Sequence, residues 1–293
     1  MMQPTETVTV PVDRPISWWR DRSLWPGLLI CGAMALVALA APILVPGDPS
    51  GLGEASERLL PPGPGHLLGT DILGRDVLER LIHGSRVSLL VGWVSVLVAV
   101  VMGTAIGMMA GLGPSWLDRL LTAVTDLFLA FPRIFLVLLL VSLSEPSLLL
   151  VMTVLGFTGW MGVARLVRAE ALSLRQRDFV AVARGLGLSQ VRVAVGHVLP
   201  NLLPTVIVAA TLRIGGAILT ESFLSFLGLG AQEPTVSWGA MIQQGRNYLL
   251  DGWWLTTFPG LAITATVIGY NLLGDGLRDR LDPRRRRPGG RDV

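Results

Sequence analysis

The sequence predicts an all-α membrane protein with six transmembrane helices. Three observations lead there. Hydrophobic residues make up 51% of the 293 residues and charged residues only 15%, where a soluble domain carries about 25% charged residues. The mean hydropathy is +0.59. The apolar residues also gather in six long runs, near 25–45, 87–111, 117–143, 148–168, 202–222 and 257–275. Each is close to the ~20 residues that cross ~30 Å of hydrocarbon.

Taken in order, the first run contains Ala38-Leu39-Ala40, which resembles a signal-peptide cleavage site. The apolar residues continue to Val45 and the leader is long, so a retained helix is expected. Its Cys31, the single cysteine, lies among hydrocarbon, where a thiol stays protonated and inert. Segment 46–86 opens with turn chemistry (Pro46, Gly47, Pro49, Gly51, Gly53) and holds PPGPG at 61–65. It then turns helical, with Asp76 as N-cap and Leu78, Leu81 and Ile82 on one face. Segment 223–256 is too apolar for a solvated loop; SFLGLG and WGAMIQQGRNYLL read as short interfacial or re-entrant pieces. Such backbone persists at membrane depth only when buried in protein or facing water.

Arginine placement gives the orientation. All 24 basic residues are arginine, and with the N-terminus inside, 17 fall in cytoplasmic segments, five outside and two within spans. Positive segments stay in the cytoplasm, so both termini are expected there. Trp18, Trp19 and Trp25 then mark one interface and Trp253 and Trp254 the other.

Between the fourth and fifth runs the chain reads RDFVAVARGLGLSQVRVAVGHVLPN, residues 177–201. Asp178 is expected to cap a helix that runs to about Leu186, with Gly185 and Gly187 as breakers. Gly187 fits the position after the helix, where positive φ is needed. Ser189 caps a second short helix ending near His197, and Pro200 and Pro204 punctuate the entry to the next span. Phe179, Val182, Ala183 and Leu186 form an apolar stripe at i, i+3, i+4 and i+7, with Arg177, Arg184 and Arg192 outside it. The pattern leaves two readings open: a helix docked in a groove of another protein, or one lying on the bilayer with its arginines on headgroups.

This segment resembles the cytoplasmic loop of binding-protein-dependent ABC importer permeases, whose pattern is Glu-Ala-Ala, three residues, Gly, nine residues, Ile, one residue, Leu-Pro. The chain matches at Ala183, Gly187, Leu199 and Pro200; it departs at Ala181, Val182 and His197. The stretches LGTDILGRDVLERLIHGSRVSLLVG (68–92), ESFLSFLGLGAQEPTVSWGAMIQQGR (221–246) and NLLGDGLRDRLDPR (271–284), together with the loop, resemble the second permease subunit of the dipeptide/oligopeptide/nickel importers. The resemblance implies an ABC transporter type-1 transmembrane domain at 85–275 with a coupling loop at 170–200. It would be preceded by a cytoplasmic tail (1–24), a first helix (25–45) and an extracytoplasmic segment (46–84), and followed by an arginine-rich cytoplasmic tail (276–293). It implies that Asp178, Phe179, Val182, Ala183, Arg184, Gly185, Gly187 and Ser189 couple to an ATPase. Alanine at 181 removes the contact that the family's Glu would make.

A chain without lysine has no G-x-x-x-x-G-K-[ST] loop for ATP phosphates, so the protein is not expected to be an enzyme. The resemblance implies separate ATP-binding subunits, a second permease subunit and an extracytoplasmic substrate-binding protein. ATP closure would move the cleft that holds the coupling helix, and rigid helices would pass the shift to the spans. Membrane lipid is the remaining expected partner, the Arg284–Arg287 cluster lying on anionic headgroups; no nucleic acid, cofactor or metal is expected. A peptide is the first choice of substrate, and a nickel or metal chelate the alternative. An intramembrane enzyme or a passive scaffold would be a different class. With three histidines and no serine–histidine or cysteine–histidine pair at one depth, hydrolysis has little to work with.

Four further features remain. Glu79 and His83, at i, i+4, have a metal-ligand spacing, near His66, Asp71 and Asp76, but no second histidine stands in register. His197 is expected to hydrogen-bond the end of its helix. Asp126 and Arg213 each lie about 14 Å into a span at 1.5 Å per residue, where charges face protein or a water-filled path. They are translocation-path candidates, either paired with each other or satisfied separately, Arg213 by a carbonyl or the other permease subunit. Glu221, near the outer end of the fifth span, is a third candidate, with pairing to the outer loop as the alternative.

Overall fold

A computed structural model describes residues 24–47 and 49–281. Trp18, Trp19 and the Arg284–Arg287 cluster lie outside the described residues. The first helix, α1, is Leu24–Leu44, and α2 is Val77–Leu112. At 1.5 Å per residue the 36 residues of α2 extend about 54 Å. Then follow α3 (Ser115–Leu129), α4 (Arg133–Ser142), α5 (Leu148–Phe157) and α6 (Trp160–Arg175). A short pair, α7 (Asp178–Gly185) and α8 (Gln190–Val193), leads to α9 (Leu199–Phe226). The chain closes with α10 (Trp238–Gly245) and α11 (Trp254–Leu281). No strand occurs among the described residues.

The helical membrane class is as expected; of the six expected spans, four or five meet the length and apolarity of a crossing. Four helical stretches are long and apolar enough to cross a membrane: Leu24–Leu44, Val77–Leu112, Leu148–Arg175 and Gln190–Phe226. The third expected span is two helices, α3 and α4, bent by 80°; counting the pair as one span raises the total to five. Pro132 causes the break, because it has no N–H to donate and restricts Phe131 before it. The sixth, α11, has the length but is diluted by Thr256, Thr257, Thr264, Thr266, Tyr270 and Asn271.

The centre of the bundle is α2, which packs on α6, α9, α5 and α1, while α11 packs on α9 and α1. Small residues let α2 and α6 touch. Gly103, Gly107 and Gly111 lie on one face of α2, four residues apart. A Cβ on any of them would stand within 3.0 Å of α6 backbone or side-chain atoms at Trp160, Val163, Ala164, Val167, Arg168 or Ala171. This is small-xxx-small packing, which substitutes close backbone approach for the missing hydrophobic force in lipid. Similarly, α1 lays Gly27 on the backbone of Leu272 and Leu273 in α11.

One end of the bundle is closed by the loop before α2. Asp76 caps α2 as expected, accepting from the Leu78 and Glu79 amides at 2.7 and 3.1 Å. Its other oxygen meets His66 Nδ1 at 2.8 Å. That hydrogen bond is the main cause holding the His66 pKa above its ordinary value. Asp71 is the centre of a buried network: it accepts from the amides of Leu73 and Arg75, from Arg75 Nε at 2.7 Å and from Arg80. Burial pushes its carboxyl up, but these donors and the Arg80 charge outweigh it and hold the pKa below the usual range. Arg75 also reaches Glu233 at 3.0 Å, tying this loop to the one before α10. At the start of α10, Trp238 is fully buried, its backbone N–H donating to Ser88 and its indole to the Leu81 carbonyl of α2. The apolar segment 223–256 thus holds the end of α9, the loop to α10, α10 itself and the turn into α11; Val236, Trp238 and Met241 are buried, while Leu249, Leu250 and Trp253 are exposed. His83 Nε2 lies 3.0 Å from the Val45 carbonyl oxygen.

Candidate functional site

The polar loop folds as two helices around a left-handed glycine. α7 starts one residue earlier than its expected cap implies. Arg177 occupies the N-cap position without a side-chain cap, and Asp178 is the first helical residue, where its charge complements the helix dipole. At the other end Gly187 has φ +81°. Its N–H donates to the Arg184 carbonyl at 2.9 Å and the Leu188 N–H to the Ala183 carbonyl at 3.3 Å. This paired closure of orphan carbonyls needs a residue in the left-handed region. Ser189 then caps α8, accepting from the Arg192 amide at 3.4 Å. α8 does not end at His197 but passes through a π-helical stretch, Ala194–Val198, straight into α9. His197 departs from expectation: its Nδ1 is enclosed without a hydrogen-bond partner among the described residues.

The apolar stripe of α7 divides between two faces. Val180 and Ala183 are buried, in one cluster with Leu174, Val193, Val198 and Leu202. Phe179, Val182 and Leu186 are exposed by 39%, 61% and 78%. The inward face fixes the helix, and the outward face leaves an apolar ridge at i, i+3 and i+7 that no described residue covers. Arg184 and Gly185 are exposed at the end of the same helix.

The intramembrane charges are arranged differently from the direct pair. Asp126 accepts from Arg165 of α6 at 2.6 Å, and Arg168 of α6 grips Asp118 with two bonds, 2.5 and 2.9 Å. Asp126, Arg165 and Arg168 line a cavity of about 280 Å³ between α2, α3 and α6. Arg213 instead donates to the Gly159 carbonyl at 3.2 Å. Asp126 and Arg213 are therefore satisfied separately, because α6 supplies a nearer cation to one and a carbonyl to the other. Glu221 is fully buried, bonded by Ser225 at 2.7 Å and approached by Ser222 at 3.4 Å. Ser237, from the loop before α10, meets Ser225 at 3.4 Å. That places Glu221 in a hydroxyl-lined seam between α9 and that loop.

Sequence reasoning passed over three features. Arg165 reads as a cytoplasmic-flank charge but is the partner of Asp126. Arg133 follows Pro132, and a charge straight after a proline inside an apolar run is the available signal of a broken helix. The α2 seam is written as G-x-x-x-G-x-x-x-G from Gly103 to Gly111.

Residues 103–287 match the family described as binding-protein-dependent transport system inner membrane component. The dipeptide transport system permease protein DppC of Alkalihalophilus pseudofirmus is 40% identical over 258 residues, covering 88% of this chain and 84% of that one. The probable D,D-dipeptide transport system permease protein DdpC of Escherichia coli is 41% identical over 251 residues, covering 86% and 84%. The di/tripeptide transport system permease protein DppC of Pseudomonas aeruginosa is 40% identical over 275 residues, covering 92% and 90%. Among solved structures, an inward-facing MetNI methionine ABC transporter shares the fold, with a TM-score of 0.58 at 18% identity over 70% of this chain and 97% of the other. Sequence and fold agree: the chain belongs to the family of binding-protein-dependent transport system inner membrane components, the permease subunits of ABC importers.

Proposed function

We propose that this permease carries short peptides inward across the cytoplasmic membrane. It would form the path with a second permease subunit, take its drive from separate ATP-binding subunits and receive its solute from an extracytoplasmic binding protein. Both termini face the cytoplasm, consistent with the arginine distribution, so the α7–α8 loop meets the ATPase and the Asp71 network faces the binding protein. The observation that carries the coupling role is the exposed ridge of Phe179, Val182 and Leu186 on a helix whose opposite face is locked by Val180 and Ala183. An ATPase cleft is the partner that such a ridge suits. Arg184, Gly185, Gly187 and Ser189 set where the ridge stands, and Asp178 starts it. Peptide as substrate is supported by relatives near 40% identity that are named dipeptide and di/tripeptide transport permeases.

Reconstitution of the complete transporter in liposomes tests this. Labelled dipeptide should accumulate only with ATP, binding protein and this subunit all present. Val182→Asp should leave the assembly intact, yet abolish binding-protein-stimulated ATP hydrolysis. Stimulated hydrolysis at the wild-type rate in that variant would refute the docking role, and uptake of nickel chelate in place of dipeptide would refute the substrate.

A further inference from the structure

Two guanidiniums line one cavity where α4 begins and α5 gives way to α6. Arg133 is the first residue of α4, just after the α3–α4 bend, and Arg213 reaches from α9 to the α5–α6 junction at Thr158–Gly159. Both line one cavity of about 170 Å³, with Phe128, Phe131, Thr158 and Gly159 on its walls. The junction lies 11 residues into the stretch that starts at Leu148, about 16 Å at 1.5 Å per residue, near the middle of a ~30 Å core.

Among the described residues no carboxylate lies within salt-bridge distance of Arg133 or Arg213. Each instead spends one donor on a carbonyl, Arg133 on Leu155 at 3.3 Å and Arg213 on Gly159 at 3.2 Å. A guanidinium has five donors in a fixed fork that matches a carboxylate. The site is also shaped for Arg213: a Cβ on Gly162 of α6 would strike its Nη2, so that glycine leaves room for the head group. α4 and α6 both begin at the cavity, and their positive ends add to the field there.

We propose that Arg133 and Arg213 form a carboxylate clamp in the translocation path, which takes the C-terminal carboxylate of a peptide in transit. The clamp rests on the peptide reading above and sharpens it. Two uncompensated cations at the membrane midplane repel a metal cation and pay for their burial only when an anion passes. Half-helix positive ends aimed at an anionic substrate group are a recurring device of transporters. Asp126, engaged by Arg165, leaves the clamp free for solute.

The test compares uptake of one labelled dipeptide as free acid and as C-terminal amide, in liposomes holding the complete transporter. The binding protein's own preference is the same for every permease variant. A change in the acid-to-amide ratio between variants therefore reports the permease. Arg213→Gln and Arg133→Gln should each lower the ratio about tenfold, the scale of losing a charge-assisted hydrogen bond. Arg213→Lys should keep part of it, and Gly162→Ala should lower it without removing any charge. Binding-protein-stimulated ATP hydrolysis checks assembly. If Arg213→Gln does not assemble, Arg213→Lys and Gly162→Ala carry the same comparison. An unchanged ratio, whether uptake stays normal or falls equally for both forms, overturns the clamp alone. Wild-type uptake of neither form overturns the peptide reading, and the clamp's ligand with it.

Discussion

Gly185 and Gly187 are two residues apart, and alanine at each should act in opposite directions. Neither position is crowded: a Cβ on either would meet nothing within 4 Å. Space therefore decides nothing and backbone conformation decides everything. Gly187 has φ +81°, where an L-residue costs roughly 1–2 kcal/mol. Gly185 closes α7 in helical conformation, where alanine gains about 0.5–1 kcal/mol by restricting the unfolded chain. The Gly187 and Leu188 amides report the closure directly, since they bond the Arg184 and Ala183 carbonyls. Hydrogen exchange at these two amides should speed up about 5- to 30-fold in Gly187→Ala, the factor that one or two kcal/mol implies. It should stay the same or slow in Gly185→Ala. Stimulated ATP hydrolysis should fall only in the first variant. Equal exchange in the two variants would show that the left-handed turn does not hold the loop, and the coupling geometry argued from it would fall.

Val180→Asp should abolish expression of folded protein, because it buries a carboxylate in the cluster around Leu174 and Val198, whereas Val182→Asp on the exposed face should purify normally; similar yields of both would contradict the two-faced helix. Gly107→Val should separate α2 from α6 and lower the thermal midpoint of the purified subunit by several degrees, while Gly32→Val, which would meet nothing within 4 Å, should leave it within a degree or two. The His66 pKa is raised by its bond to Asp76, so its contribution to stability is complete below the ordinary histidine value near 6.5 and is lost as pH rises through the higher folded value. A pH series of melting midpoints should show that loss in the wild type and not in His66→Gln; parallel curves would remove His66 from the account.

The long spans were legible because apolar length has one main cause, the thickness of the bilayer. Asp76, Gly187 and Ser189 were legible because caps and left-handed turns depend on local chemistry. The bend at Pro132 was written in the chain but was masked by the unbroken hydropathy on both sides of it. The pairing of Asp126 was not legible. Equal depth in two helices says nothing of which faces meet, and Arg165, on the helix that packs beside α3, won by proximity. Glu221 likewise needed the loop before α10 to be in place before its hydroxyl surroundings could be seen. Along α7, periodicity identified the apolar residues but not the division between Val180 and Ala183 on one side and Phe179, Val182 and Leu186 on the other. That division depends on where α9 lies.

The α2–α6 seam has a consequence for energetics at a distance. Glycine contact at three successive turns leaves no room for sliding, so the two helices shift as one body. One end of that body carries Arg80 and the Asp71 network; the other leads through α6 into α7. On the proposed arrangement, a binding event at either end would act on the same rigid pair. Thermodynamic reciprocity then applies: if a receptor seated at the Asp71 end tightens the ATPase's hold on α7 by some factor, the ATPase must tighten the receptor's hold by that same factor. If the proposed arrangement holds, nucleotide state would be readable as receptor affinity at the other end of a single rod about 54 Å long.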